Sequence, residues 1–378
     1  MIKKFTLLSF LLLASCFLFA QKSVSPKLKS SATYAGIEVG SKGVKMSILE
    51  LNAQQANDFR TIIDTSINTD FISFTDQTYS STLDALTALY NTAINKYDIE
   101  PSSVFTAISS GVSIISEKQN KKDWLKKLSD DFRTNIKEPT RIVKVIDVKE
   151  EARLSHIGII PDSRRYNTFL IDIGSGNTKG GFFPYNNTKD IRLFQLTWGT
   201  KSVSNETEKR LEENNNGIKA YSRELYRVLA GSADKEIVYA VNVSGAYNMS
   251  DNIAFSGGIA WSVATLLFPE LIENSVVPVT YDEVAGFMDR IENDYNSLSP
   301  EEITKTVTDN TVDKVKVAKE AKTVNKVFNQ KALLAGTGLL LKIMRQFEGT
   351  YEKKQFFLVK NGQTGWISAF VNESKTAK

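Results

Sequence analysis

A strand that ends in an acidic residue and a glycine turn occurs twice in this chain. Ile37-Glu38-Val39-Gly40-Ser41-Lys42-Gly43 ends one apolar run, and Ile171-Asp172-Ile173-Gly174-Ser175-Gly176-Asn177-Thr178 ends another. A hairpin of this kind is not stable alone and needs further strands or a covering helix. Around the first turn, the pattern predicts strands over 34–39, 44–51 and near 61–67. A helix over 82–97 follows from the spacing of Leu83, Leu86, Leu89, Ala93 and Ile94. A strand over 104–108, a helix around 121–132, a strand over 141–146 and a helix from Lys149 complete the first half.

The order then repeats. Strands are expected over 168–173, 179–183 and 191–196, a long helical stretch over 200–229, strands over 237–243 and 253–255, and helices through 287 and over 333–347. This is a duplicated α/β architecture with a cleft between its halves, and the boundary falls near 161–166. The expected division is 1–20 leader peptide, 21–33 flexible linker, 34–163 first domain and 164–378 second domain. The lysine-rich run 304–329 has helical spacing and reads as a solvated face.

Lys3 and Lys4 followed by the apolar run 5–19 and Ala20 have the form of a secretory signal peptide, so the chain is expected to be exported, periplasmic or secreted. Leu13-Ala14-Ser15-Cys16 also has the form of a lipid-attachment box, but the apolar run continues past Cys16, which favours cleavage after Ala20. No later segment is apolar enough to cross a membrane. Cys16 is the only cysteine, so a chain cut after Ala20 has neither disulfides nor thiolate metal sites. His156 is the only histidine, which excludes sites built from several histidines. The formal charge of +4 falls by two with Lys3 and Lys4, leaving no net basicity to argue for nucleic acid.

Small residues in the two turns, Gly40, Ser41, Lys42 and Gly43, then Gly174, Ser175, Gly176, Asn177 and Thr178, expose amides and hydroxyls that can wrap phosphate oxygens. Glu38 and Asp172 can hold a magnesium ion or position water. Ser109, Ser110 and Gly111 end another strand, and Gly257 and Gly258 open an apolar helix, where a glycine-led N-terminus suits an anion or tight packing. Glu150 and Glu151 begin a helix, where carboxylates favour the positive dipole end. Adjacent helical positions point about 100° apart, so one of the pair can face the cleft as a general base.

These segments, in this order, resemble the exopolyphosphatase / guanosine pentaphosphate phosphohydrolase (Ppx/GppA) family of the actin–hexokinase–Hsp70 superfamily. AGIEVGSKGVKMSILEL is similar to its first phosphate loop, FTAISSGV to its second segment, and VIDVKEEARLSHIGII to its glutamate-bearing helix. LIDIGSGNTKGGFF resembles the second loop, FSGGIAWSVA the adenosine-like motif, and LLAGTGLLLKI with LVKNGQTGWISAF the C-terminal part. The resemblance implies two ribonuclease H-like, actin-like domains and a phosphoanhydride hydrolase, with Glu151 as catalytic base and a divalent cation, magnesium, at Glu38 and Asp172. It also implies a polyphosphate or nucleoside polyphosphate substrate and a homodimeric partner.

The chain departs from the pattern in three places. Glu38 stands for the usual aspartate, no arginine lies within 109–112, and Lys179 replaces a glutamate after the second loop and offers phosphate a point charge. VGSKGVK also resembles the first motif of the apyrases, which makes nucleoside di- and triphosphates the alternative substrates. A degenerate, non-catalytic phosphate binder is the third reading.

Overall fold

The computed structural model describes residues 31–52, 59–245, 250–348, 354–360, 362 and 365–376. The expected leader peptide, Cys16 and most of the expected linker lie outside the described residues.

Two sheets carry the fold. The first has the order β3-β2-β1-β4-β5, from β1 (Ser31–Val39), β2 (Gly43–Asn52), β3 (Phe59–Asn68), β4 (Val104–Ile108) and β5 (Val143–Val145). The second has the order β10-β11-β9-β6-β7-β8. Its strands are β6 (Thr168–Ile173), β7 (Thr178–Phe182), β8 (Arg192–Leu196), β9 (Asn252–Ser256), β10 (Val276–Val279) and β11 (Gln355–Val359). In each sheet a three-stranded antiparallel meander (β1–β2–β3, β6–β7–β8) is extended by a parallel strand beside its first member: β4 on β1, β9 on β6. The duplication read from the glycine turns is therefore a duplication of topology.

Both faces of these parallel strands are covered, so β4 and β6 are buried at every position, as VFTAI and TFLIDI require. On one face of the first sheet, Ile37, Val39, Met46 and Ile48 pack with Leu86 and Ala93 of the Asp76–Tyr97 helix and with Leu128 and Phe132 of the Lys122–Ile136 helix. The other face, with Leu49, Leu51, Phe105 and Ala107, packs against the Val148–Ile159 helix and the C-terminal Gly365–Thr376 helix. The last helix of the chain thus covers the first sheet. Glycine permits the close crossing: a Cβ on Gly158 would lie 1.9 Å from Gly365 O.

Four expectations change. β1 begins at Ser31, so 31–33 are paired strand, with Ser31 opposite Asn52, rather than flexible linker. The C-terminal helix leaves the second domain, 164–378, to pack on the first. The stretch 200–229 breaks into Thr200–Glu208 and Ile218–Val228 around the turn-rich Asn214-Asn215-Asn216-Gly217. Finally, 237–243 lies in the helix Asp234–Ser244, not in a strand. Its β-branched composition suggested the strand, but Ile237, Ala240, Val241 and Ser244 are the buried residues, a helical stripe that wins over propensity.

Candidate active site

Both glycine turns are closed by the same hydrogen bond. Gly40 N–H donates to Gly43 O at 2.9 Å, and Gly174 N–H donates to Asn177 O at 3.0 Å. The last strand pairs before the turns are Val39 with Val44 and Ile173 with Thr178. One residue further from each turn an acid faces a lysine across the strands: Glu38 opposite Lys45, and Asp172 opposite Lys179.

The turns lie at the carboxyl ends of the parallel strands, where open α/β sheets place their ligands. Ser109 N–H donates to Val39 O at 3.0 Å, which seats the start of the Ser110–Lys118 helix beside the first turn. A Cβ on Gly111 would lie 3.1 Å from Ser41 Oγ and 3.6 Å from Asn177 Oδ1. Turns from opposite halves therefore meet over one helix N-terminus. Among the described residues, no backbone carbonyl accepts from the amides of Ser41, Lys42, Ser175 or Gly176.

The two adjacent glutamates are separated by the helix they share. Asp147 caps it, its carboxylate accepting from Glu150 N–H at 2.8 Å. Glu150 turns outward and pairs with Arg153 at 2.8 Å, which also donates to Glu373 of the last helix at 2.9 Å. Glu151 turns inward, its side chain 3% exposed. Its Oε2 accepts from Ser110 N–H at 2.6 Å, and its Oε1 lies 3.0 Å from Lys179 Nζ.

Lys179 Nζ also lies 3.2 Å from Asp172 Oδ2, while Asp172 Oδ1 accepts from Ser256 Oγ–H at 2.7 Å. Burial by itself lowers the Lys179 amino group; the carboxylates of Glu151 and Asp172 outweigh it and hold the ammonium above the ordinary lysine range. Gly257 makes the serine contact possible. Its φ of 94° suits only glycine, and a Cβ there would lie 2.3 Å from Ile173 O.

Glu38 is half-buried beside this cluster. Burial pushes its carboxyl up to about 7, with Lys45 the strongest opposing charge and Glu151 and Asp172 adding to the rise. Lys42 of the first turn is exposed, and Lys201 of the second half pairs with Asp70 of the first at 3.5 Å. Although the residue as a whole is exposed, desolvation around its amino group, then the nearby Lys201, hold Lys42 below the usual lysine range.

The geometry brings together Glu38, the first turn, Ser110, Gly111, Glu151, Asp172, Asn177 and Gly257. It sets three expected residues apart. Thr178 is buried in β7 and its hydroxyl donates to Trp198 O at 2.7 Å, so it faces no ligand. Gly258 serves packing, since a Cβ there would lie 3.1 Å from the Phe328 ring. Lys179, expected to reach phosphate, is instead spent on two carboxylates. Ser256 and Lys201 complete the site and carried no local signal, because each matters only through a partner from a distant element.

For a divalent cation the donor set does not fit as it stands. The point on which Glu151 and Asp172 converge is held by the Lys179 ammonium. Among the described residues, no three acids, histidines or cysteines gather in an arrangement that could hold a metal ion.

No protein-family model matches the sequence, and no curated protein matches it. Solved structures do. A Ppx/GppA family member from Aquifex aeolicus superposes with a TM-score of 0.61 at 15% identity, over 92% of this chain and 98% of that one. An exopolyphosphatase-like protein superposes with a TM-score of 0.62 at 14% identity, with the same coverage of 92% and 98%. An exopolyphosphatase from Cytophaga hutchinsonii gives 0.54 at 11%, over 90% of this chain and 98% of that one. The chain has the two-domain actin-like fold of the Ppx/GppA structures, along nearly its whole length.

Proposed function

We propose that this chain is an exported phosphoanhydride hydrolase of the exopolyphosphatase kind, releasing terminal phosphate from polyphosphate. One observation carries the reading: Glu151 is buried where turns from both halves converge, each carboxylate oxygen held by a fixed donor. A carboxylate has about four lone-pair directions. Ser110 and Lys179 take one on each oxygen, and the remaining pair can orient a water and accept its proton. The amides of Ser41, Lys42, Ser175 and Gly176 would hold the terminal phosphate, and Lys42 with Lys201 would meet the phosphates that follow. Such catalysis is mostly positioning and charge neutralisation. Likeness to Ppx/GppA structures favours polyphosphate over the nucleotides of an apyrase, and the first twenty residues support export.

A second reading has its own support. The ion pair between Lys179 and Glu151 also suits a protein that binds phosphate chains without turning them over. Phosphate release from long-chain polyphosphate, ATP, ADP and GTP, with and without magnesium, separates the readings. Release from polyphosphate supports the first, release from nucleotides alone supports an apyrase, and binding without release supports the second. In an active protein Glu151→Gln should lose about 10²–10⁴-fold in rate while folding normally; an unchanged rate removes Glu151 from the role.

A further inference from the structure

We infer that Lys179 is a built-in counter-cation, which takes the place of a divalent metal between Glu151 and Asp172 and makes phosphate binding in this cleft metal-independent. The inference deepens the proposed function and rests on it only for the identity of the ligand. Two carboxylates from different elements aim one oxygen each at a single point, 3.0 and 3.2 Å from the ammonium nitrogen. Their other oxygens are fixed by Ser110 N–H and Ser256 Oγ–H at 2.6 and 2.7 Å. Such convergence, with outer oxygens held by donors, is what a hard cation asks of its ligands. The ammonium meets it with three donors and no coordination requirement.

The lysine is also placed by the backbone. It faces Asp172 directly across the hairpin, and its side chain is 7% exposed. A metal could enter only by displacing a tethered charge from a buried site. With Lys179 present, two carboxylates carry one compensating charge, so an incoming phosphate meets less repulsion than the bare acids would give.

The test uses manganese(II) and tripolyphosphate. Manganese binding is followed by electron paramagnetic resonance and calorimetry in the full chain and in Lys179→Glu and Lys179→Gln. The parent protein should show no stoichiometric manganese site, and its Tm should move less than about 1 °C on adding the ion. Lys179→Glu should bind one manganese and gain more than about 5 °C on its addition. Lys179→Gln should gain less, and it serves if the glutamate variant does not fold. Tripolyphosphate affinity of the parent should be unchanged by EDTA. A parent manganese site lost in Asp172→Asn, or tripolyphosphate binding abolished by EDTA, overturns the inference. Failure to bind tripolyphosphate under any condition would instead sink the proposed function, while the manganese titration still decides the role of Lys179.

Discussion

The hairpin of the first half and the hairpin of the second use one backbone plan. Each turn is closed by the same amide-to-carbonyl hydrogen bond, and each places an acid directly opposite a lysine one step behind the turn. Their electrostatics diverge. Lys45 is half-buried and acts on Glu38 through charge at a distance, leaving that carboxyl up at about 7. Lys179 is buried, touches Asp172, and is drawn further inward by Glu151 of a third element. What separates the two is the glutamate-bearing helix that reaches only the second lysine. A repeated fold can therefore hold one acid–lysine pair in reserve, with a titratable carboxyl, while it locks the other into a fixed network.

The largest expected difference is in stability. Lys179→Met leaves Glu151 and Asp172 buried without their partner, a loss of about 3–5 kcal/mol. Lys45→Met removes a lysine from a half-buried position and should cost at most about 1 kcal/mol. Urea unfolding midpoints at constant m-value measure both. Equal losses would mean that the two pairs are equivalent and that Glu151 does not anchor the second.

Next in size is a pH effect confined to the first hairpin. Below pH 4.5 Glu38 is protonated in both folded and unfolded chains and contributes nothing to the difference. As pH rises from 4.5 to about 7, the unfolded chain gives up this proton while the folded chain keeps it, so stability falls. Above about 7 the full penalty stands, on the order of 3 kcal/mol at 1.36 kcal/mol per pH unit. Glu38→Gln should match the parent near pH 4 and exceed its stability by up to about that amount near pH 8. A difference that does not change with pH would show that the Glu38 carboxyl titrates normally. Comparing variant with parent also cancels the opposite contribution of His156, whose burial lowers its imidazole to about 4.

How much of this was legible in the sequence follows from how local each feature is. The meanders were readable because apolar alternation and the Gly40–Gly43 and Gly174–Asn177 turns are local signals. The parallel strands at 104–108 and 253–255 were readable as short apolar runs bounded by polar residues. The inward turn of Glu151 rather than Glu150 was not readable from residue types, since it depends on where the helix lands against Ser110. Nor was the position of Lys179, because its two carboxylate partners come from β6 and from a helix that meet it only in the folded chain. The crossing of the last helix onto the first sheet was hidden too. It depends on bare glycines at positions 158 and 365, which look unremarkable along the chain.

The smallest effect on stability tests why the turns contain glycine at all. A Cβ on Gly43 would lie 2.2 Å from Ile67 O of β3, so the first hairpin needs glycine to keep its sheet. Gly176 has no such neighbour: the nearest heavy atom to a Cβ there is Ile115 Cδ1 at 3.9 Å, and its φ is not in the left-handed region. Gly43→Ala should therefore cost more than about 1 kcal/mol, whereas Gly176→Ala should change stability by no more than about 0.5 kcal/mol. If the bare backbone at Gly176 serves a phosphate, the alanine variant should nonetheless bind tripolyphosphate about tenfold more weakly, a difference of about 1.4 kcal/mol. Affinity unchanged at unchanged stability would show that the second turn does not touch the ligand, and would shift the phosphate site towards the first hairpin and Lys42.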